Sequence, residues 1–420
     1  MNKRLSVLVI AAKFPNIIQP WLANIVSATA LKGIAVSVIS LQLGDDVSVR
    51  SLVESGVNKK VTYLRLEGIW NLLSLLKGLS PSNFRYFVRG YARLDMSCRT
   101  YSSVIKKWIY KLSLSCISGS VNPDIIHSHS EPAGYKLLPL VSAVNAKFVI
   151  TFHGLPPVGV KMLTKKERRE YTDRADVILV NTEFAKKQYV GLGVGEEKIR
   201  IIPQGTDLSV FEFYERSDFD ANGVLRLLCV GRLSADKGQK YVIEAMSYLI
   251  KDGVSAKLNI VGQGPDHELL KGQIKRLGLE DHVTILSGLS EAELVQKYQE
   301  SDIFVLASTK SNDGYHEETQ GVVIQEAQAC GALVIATRVG GIPECVINNE
   351  NGSLVGDRSS SEIYNKIKWL LENVNKWNEW RLNARRFVEE RYDINVISNK
   401  ICSLYEEIVR AEKQSHRFLS

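Results

Sequence analysis

Residues 225–238 read LRLLCVGRLSADKG: an apolar run ends in a glycine turn, and an amphipathic stretch follows at residues 240–252. A run this apolar, with Arg226 as its one charged residue, suits a β-strand that is covered on both faces. A strand, a tight turn and a helix in this order form the repeating unit of α/β proteins. The stretch therefore predicts a doubly wound fold with a parallel sheet.

The same alternation continues on both sides of this stretch. Before it, apolar runs occur at residues 5–11, 36–41, 124–129, 147–152, 175–181 and 199–203. After it, they occur at residues 256–261, 283–286, 302–307 and 332–336. Because helical patterns lie between these runs, the two series predict an α/β protein with two Rossmann-like domains that face a cleft.

A polar, acidic stretch separates the two series. We assign residues 1–206 to an N-terminal domain, residues 207–224 to a linker and residues 225–394 to a C-terminal domain. The region after residue 362 reads as helical. We expect its last part, residues 395–420, to form a helix that packs back on the N-terminal domain.

Bulk composition narrows the class of protein. With 420 residues, 45% of them hydrophobic, the chain is too long for one ordinary core and fits two domains. The net charge of +7 fits an acidic ligand, an anionic membrane surface or nucleic acid. No nucleic-acid-binding module is recognisable, so we expect no such partner. The six scattered cysteines contain no CxxC pair, which argues against a zinc site and favours reduced thiols in a cytoplasmic protein.

The first residues combine Lys3 and Arg4 with an apolar run, as a signal peptide does. The run is short, however, and Lys13-Phe14-Pro15 follows it instead of small residues. We therefore interpret it as the first buried strand. No apolar stretch approaches the roughly 20 residues that are needed to span a bilayer.

Two cations follow the quoted strand. Arg232 can bridge two phosphate oxygens, and Lys237 adds a compact charge five residues later. Such cations can stabilise a departing diphosphate without a metal ion. Two solvated charges on a turn are the competing interpretation. After the next strand, Gly262-Gln263-Gly264-Pro265 would let the backbone approach a ligand closely, although turns also require glycine.

The strongest motif is DGYHEETQGVVIQEAQACG at residues 313–331. The segment Gly321-Val322-Val323 would begin a helix whose free N–H groups and dipole favour phosphate. Glu318 would lie at the mouth of this helix, within reach of sugar hydroxyls, and a helix cap is the alternative for it. Glu326 would lie about two turns inside the helix and could accept both hydroxyls of a ribose. Its apolar neighbours imply a buried carboxylate that needs partners.

Together these motifs resemble glycosyltransferase family 4. The resemblance rests on GRLxxxKG, VGxGP, two glutamates separated by seven residues and leading into EAxACG, and VGGIPE at residues 339–344. Looser matches upstream are NPDIIH at 122–127, FHG at 152–154 and IPQGTD at 202–207. The family has the two-domain GT-B fold and is retaining. The resemblance implies a metal-independent hexosyltransferase whose nucleotide-sugar donor is a substrate, with no cofactor.

The resemblance also implies roles for single residues, position by position. Arg232 and Lys237 would hold the donor diphosphate, and Glu326 would hold the nucleotide ribose. Glu318 would bind the transferred sugar, and His153 would lie across the cleft beside the reacting carbon. The remaining donor contacts would come from the backbone at Gly264, Gly321, Val322 and Val323.

The sequence departs from the family pattern at two places. Thr319 stands where members usually have glycine after the first glutamate. The stretch Phe14-Pro15-Asn16-Ile17-Ile18-Gln19-Pro20-Trp21 replaces the glycine pair that often follows the first strand. This stretch resembles the subgroup that builds bacterial exopolysaccharide and lipopolysaccharide. It implies that Asn16 and Gln19 face a glycan or a lipid-linked sugar acceptor.

The reaction route and the other histidines complete the expected site. A retaining reaction can use a second carboxylate as a nucleophile beside the anomeric carbon. No candidate for that role stands out, so we expect a front-face route in which the leaving phosphate helps to deprotonate the acceptor. We interpret His127 and His129 as structural.

Residues 77–111 are strongly basic, with Asp95 as the single acid and aromatic residues interleaved. Helices of this kind suit an anionic membrane surface, here the inner face of the plasma membrane. An ordinary solvated helix face is the equal alternative. Two other functions also fit the motifs, a nucleotide-sugar 2-epimerase and an inactive nucleotide-sugar binder.

Overall fold

A computed structural model describes residues 4–16, 20–45, 50–64, 81–96, 104–118, 121–155, 162–216, 219, 223–311 and 317–417. Two parallel β-sheets form the centres of its two halves, and apolar clusters cover both faces of each sheet. This architecture confirms the prediction of two Rossmann-like domains.

The strands of the N-terminal sheet are β1 (Ser6–Phe14), β2 (Ala35–Leu43), β3 (Val61–Tyr63), β4 (Ile125–Ser128), β5 (Lys147–Phe152), β6 (Val177–Val180) and β7 (Ile199–Ile201). They are parallel and lie in the order β3-β2-β1-β4-β5-β6-β7, which reverses between β1 and β4. The described α-helices of this half are α1 (Pro20–Leu31), α2 (Arg50–Glu54), α3 (Pro81–Arg93), α4 (Val104–Ser118), α5 (Glu131–Lys136), α6 (Leu138–Ala143), α7 (Lys165–Asp173) and α8 (Glu183–Gly191).

The strands of the C-terminal sheet are β8 (Leu225–Val230), β9 (Ala256–Val261), β10 (Val283–Leu286), β11 (Ile303–Leu306), β12 (Leu333–Thr337) and β13 (Ser353–Val355). Their order is β10-β9-β8-β11-β12-β13, and it reverses between β8 and β11. The described α-helices that follow are α9 (Gln239–Lys251), α10 (His267–Arg276), α11 (Glu291–Glu300), α12 (Val322–Ala329), α13 (Ile342–Cys345), α14 (Ser360–Glu372), α15 (Trp377–Arg391) and α16 (Ile394–Arg417). Short 3-10 helices lie at Val57–Lys60, Glu196–Lys198, Ala235–Lys237 and Val374–Lys376.

The chain passes between the halves twice, and the two passages lie side by side. The backbone N–H of Thr206 donates to the Tyr392 carbonyl at 2.7 Å, and that of Ile394 donates to the Thr206 carbonyl at 2.9 Å. These bonds surround an isolated β-bridge between Thr206 and Asp393. The second passage leads directly into α16.

Helix α16 packs against α1 and against the N-terminal sheet, as the sequence predicted. Its buried apolar residues recur every three or four positions and therefore form one stripe. They share a single core cluster with Ile25 and Val26 of α1 and with Val9 of β1. The stripe consists of Ile397, Ile401, Leu404 and Ile408.

The sequence missed two short strands and misjudged the length of a third. The first apolar run does form a buried strand, but β1 continues to Phe14, beyond the predicted end at residue 11. Strands β3 and β13 have three residues each, which is too short for a period-two pattern to stand out. Within the described ranges, no helix is long and apolar enough to cross a membrane.

Candidate functional site

The candidate site lies beyond the carboxyl ends of β8 and β11, where the order of the C-terminal sheet reverses. The loop after β8 carries Arg232 and Lys237, and the loop after β11 carries Glu318. The backbone of His153, which follows β5, is hydrogen-bonded to Thr319 beside Glu318. Both halves of the protein therefore contribute to one site.

Lys237 and Glu318 form an ion pair in this site. The Nζ atom of Lys237 donates to Oε2 of Glu318 at 2.5 Å, and the two side chains are 20% and 18% exposed. Gly238, next in the chain, has φ 64° and no room for a side chain, since a Cβ would lie 1.9 Å from the Ala307 carbonyl oxygen. The close approach of the two loops therefore places the lysine, and the pairing orients it for an anionic ligand.

Arg232 lies at the edge of the same loop. Its Nε donates to Oγ of Ser234 at 3.1 Å, and its Nη2 pairs with Asp236 at 3.2 Å. The side chain is 37% exposed. Among the described residues these contacts involve Nε and Nη2, which leaves the Nη1 group for a phosphate oxygen.

The N-terminus of α12 provides backbone donors next to these cations. Gly321 is the residue before the helix and has φ 78°, a conformation that glycine adopts without strain. In the described part of the chain, no side chain caps this end of the helix. The N–H groups of the first turn, which includes Val322 and Val323, are therefore available to an anion, and the helix dipole favours one.

Glu326 lies on the same helix, and the residue is largely buried. The hydroxyl of Tyr298 donates to its Oε2 at 2.7 Å. Burial raises the pKa of Glu326 to about 7, the nearby Glu291 charge adds to this rise, and the Tyr298 hydrogen bond opposes it. A desolvated carboxylate with only one described hydrogen bond retains acceptor capacity for two hydroxyls.

The glycines of the other motifs have packing roles. A Cβ at Gly264 would lie 2.2 Å from the Leu233 carbonyl oxygen, and one at Gly262 would lie 1.9 Å from that of Gly231. A Cβ at Gly341 would lie 2.0 Å from the Thr319 carbonyl oxygen. These glycines allow neighbouring loops to pack closely. Donor binding by the Gly264 backbone stays a prediction.

His153 approaches from the N-terminal half. The amide nitrogen of Gln204 lies 3.1 Å from its Nδ1, and Nδ1 of His129 lies 3.2 Å from its Nε2. With the amide donating, the proton of His153 is on Nε2 and is donated to His129. The Trp21 ring packs on the imidazole, with centroids 4.1 Å apart. Burial holds the pKa of His153 well below its ordinary value, so this ring acts as a neutral group.

The two other histidines differ in their relation to the site. His127 bonds to Tyr405 at 2.6 Å and to Thr151 at 2.7 Å, which agrees with a structural role. His129 instead contacts His153 directly, and burial lowers its pKa to about 3. A small pocket that is partly open to solvent lies beside His129 and His153, and Gln204 also lines it.

Several residues of this site were not singled out by sequence reasoning. Gln204 belonged to the recognised stretch IPQGTD, but no pattern showed that its amide meets His153. Tyr298 is 28 residues from Glu326 and shares no motif with it. Asn16 is described and half-buried at the end of β1, whereas Gln19 lies outside the described residues. The acceptor role of both stays a prediction.

The basic segment forms two helices, α3 and α4, which pack against each other. The Tyr91 and Trp108 rings stack with centroids 6.2 Å apart, and Lys111 lies over the Tyr91 ring. Among the described side chains of these helices, the large apolar ones that are exposed are Phe84, Val88, Val104, Ile105 and Trp108. An exposed apolar surface beside basic residues is unusual for a purely solvated helix face.

Two Rossmann-like halves that both contribute residues to one site form the architecture of the GT-B fold. The profile "Glycosyltransferase Family 4" matches residues 22–210, and the profile "Glycosyl transferases group 1" matches residues 212–387. The chain belongs to the family-4 type of glycosyltransferases, which confirms the family and the enzyme class that the motifs predicted.

Relatives and solved structures agree with this assignment. A protein of Escherichia coli K12, named as the colanic acid biosynthesis glycosyltransferase WcaL, is 24% identical over an alignment of 406 residues that covers 94% of this chain and 98% of the relative. A GDP-mannose-dependent phosphatidylinositol monomannoside mannosyltransferase of Mycolicibacterium smegmatis is 26% identical over 281 residues, 60% of this chain and 72% of the relative.

Among solved structures, Anabaena HepE in complex with UDP superposes with a TM-score of 0.69 at 19% identity and covers 96% of this chain and 100% of its own. The sucrose-phosphate synthase of Thermosynechococcus elongatus gives a TM-score of 0.72 at 19% identity, covering 97% and 100%. At these identities the comparison shows the fold.

Proposed function

We propose that this glycosyltransferase transfers a hexose, with retention of configuration and without a metal ion, from a UDP- or GDP-linked donor. The acceptor is a glycan or a lipid-linked sugar of bacterial surface polysaccharide. The observation that carries this proposal is the convergence of Lys237, Glu318 and the uncapped start of α12 at one point of the cleft. The HepE complexes with UDP and with UDP-glucose support the donor class, and the WcaL similarity supports the acceptor class.

In this proposal the three parts of the donor contact different residues. The diphosphate would contact Lys237, Arg232 and the first N–H groups of α12, which together supply positive charge and oriented donors. The ribose would bind Glu326, on the inner side of the same helix. The sugar would then lie at Glu318 and face His153 across the cleft.

Transfer breaks the bond between the anomeric carbon and the phosphate oxygen and forms a bond to the acceptor oxygen on the same face of the sugar. The acceptor proton passes to the departing phosphate oxygen. Lys237 and the helix N-terminus stabilise the charge that develops on that phosphate, and such stabilisation acts mainly in the transition state. Neutral His153 contributes no charge, and because Gln204 and His129 already occupy its two ring nitrogens, a hydrogen bond to the sugar would have to replace one of these contacts. Among the described residues, no group of three or more His, Cys, Asp or Glu side chains is placed to hold a metal ion.

A screen of nucleotide sugars tests the donor assignment. Donors that bind raise the melting temperature, and those that react release free nucleoside diphosphate when an acceptor is present. The variant K237A should lower kcat by about 100- to 1,000-fold, the range found when a charge-stabilising donor is removed. Lys240 is exposed and lies three residues further on, so K240A is the matched control. Near-normal turnover of K237A would refute the assignment.

We also propose that the surface formed by α3 and α4 binds an anionic membrane at the cytoplasmic face. Exposed aromatic and aliphatic side chains can enter the headgroup region, and basic residues attract anionic lipid. Liposome flotation at low salt with anionic lipid should recover the protein with the vesicles. The double variant I105E/W108E should lose this binding, whereas L269E, an exposed leucine of α10, should keep it. Equal flotation of both variants would contradict the proposal.

Two other functions make different predictions. A 2-epimerase would convert the donor in the absence of any acceptor sugar. An inactive binder would show the thermal shift without release of nucleoside diphosphate. Acceptor-dependent release of the nucleotide distinguishes the proposed transferase from both.

A further inference from the structure

We propose that Thr319 is a positioning residue that ties Glu318 of the C-terminal half to His153 of the N-terminal half. This inference rests on the proposed function of the site. Thr319 stands where the resembling family usually has glycine, so its side chain is a departure from the family pattern.

The side chain of Thr319 is 6% exposed and makes polar contacts only with the other half among its described hydrogen bonds. Its Oγ1 donates to the backbone carbonyl of His153 at 3.1 Å and accepts from Nδ2 of Asn181 at 3.1 Å. Its backbone carbonyl accepts from Oγ1 of Thr182 at 2.7 Å. A glycine could make only the last of these three bonds.

The methyl group of Thr319 fits a specific gap. Gly154 has φ 102°, and a Cβ at that position would lie 2.7 Å from Cγ2 of Thr319. The absence of a side chain at Gly154, directly after His153, therefore leaves the space that the methyl group occupies. Shape and hydrogen bonding thus both match the threonine to the His153–Gly154 turn.

The neighbouring residues continue the same contact. Gln320 accepts from the backbone N–H of Gln204 at 2.8 Å and donates to its carbonyl at 3.0 Å. Gln204 in turn contacts the His153 ring. Glu344 accepts from the backbone N–H groups of Glu183 and Phe184, at 2.8 Å each, at the start of α8. We call this set of contacts between the halves the polar joint; its members are Asn181, Thr182, Glu183, Phe184, Gln204, Thr319, Gln320 and Glu344.

The polar joint affects the rate of transfer because two of its residues directly follow Glu318 in the chain. Glu318, Thr319 and Gln320 are consecutive, so the residue that holds His153 is bonded directly to the residue that would hold the sugar. A small displacement of reacting groups costs up to about 100-fold in rate. The proposed diphosphate and ribose contacts lie in the C-terminal half, and the described side-chain hydrogen bonds of Thr319 go instead to Asn181 and His153 of the N-terminal half.

Three substitutions at this position separate the contributions. T319V keeps the shape and removes the hydroxyl, and we expect kcat to fall about 10- to 100-fold while the affinity for free nucleoside diphosphate changes less than about threefold. T319S restores the hydroxyl and should recover most of kcat. T319G removes both groups and should be at least as slow as T319V.

A double-mutant cycle provides the control. N181A removes the partner of Thr319 without touching Glu318 or His153, and its effect on kcat should not add to that of T319V, because both break one network. The proposal is wrong if T319V keeps wild-type kcat, if nucleotide affinity falls in step with kcat, or if the two effects add fully. An inactive wild-type protein would instead refute the proposed transferase. In that case small-angle scattering would still show whether T319V and N181A change the arrangement of the two halves.

Discussion

Replacing Glu326 with glutamine should stabilise the protein while weakening its donor binding. Burial raises the pKa of Glu326 from 4.5 to about 7. At 1.36 kcal/mol per pH unit, this difference corresponds to about 3 kcal/mol of lost stability when the carboxylate is ionised in the folded protein. Glutamine is neutral and its oxygen can still accept the Tyr298 hydrogen bond, so we expect E326Q to recover about 1–3 kcal/mol.

The direction of the pKa shift determines how the stability gain of E326Q depends on pH. A group whose pKa is raised by folding contributes stability below its unfolded pKa, here 4.5, and loses it as the pH rises through about 7. The gain in E326Q should therefore be almost complete at pH 8, less than about 1 kcal/mol at pH 5, and absent only below the unfolded pKa of 4.5. Unfolding of the unliganded protein in urea at both values measures it, and the melting temperature should rise by about 2–4 °C per kcal/mol at pH 8.

Two results would refute this reasoning. Equal destabilisation of E326Q at pH 5 and pH 8 would show that burial of the ionised Glu326 carboxylate does not lower the stability of the protein. Unchanged donor affinity would show that Glu326 does not bind the ribose. The variant Y298F is the matched control, because it removes the hydrogen bond that opposes the rise in the pKa of Glu326 and should therefore steepen the pH dependence.

Further predictions concern the pH profile and the packing of the site. The KM for the donor should rise as the pH falls below about 7, by at most about tenfold per pH unit, because protonated Glu326 cannot accept two hydroxyls. At saturating donor, kcat should show no histidine titration between pH 6 and pH 8, since burial lowers the pKa of His129 to about 3; a bell-shaped kcat profile with a histidine-like limb would count against neutral rings. G341A should cost about 1–3 kcal/mol in a denaturation assay because its Cβ would meet the Thr319 carbonyl, whereas G191A, with open space around it, should be near neutral. Similar losses in both variants would exclude the close approach as the cause.

Most of the C-terminal half could be predicted from the sequence, because each motif there lies close in the chain to the strand that positions it. Each motif follows its strand directly, and the reversal of strand order at β8 and β11 brings the two loops together without any further signal. Lys237 and Glu318 are 81 residues apart in the sequence, and they form an ion pair. The sheet topology is enough to place both residues at the same site.

The contacts between the halves could not be foreseen in the same way. No periodicity or motif states which backbone carbonyl a buried threonine will meet, and Thr319 was visible only as a departure from a family pattern. The contact of His129 with His153 was not foreseen for the same reason. The two rings meet because strands β4 and β5 are neighbours in the sheet, and the sequence around His129 gives no sign of that.

The position of α16 has a consequence for how the protein folds during synthesis. The N-terminal sheet is complete at Ile201, but the helix that covers its α1 side begins only at Ile394. At about 5–20 residues per second, a nascent chain would wait roughly 10–40 s before the apolar stripe of α16 can reach α1. During that interval the apolar flank of α1 that α16 later covers stays exposed to solvent.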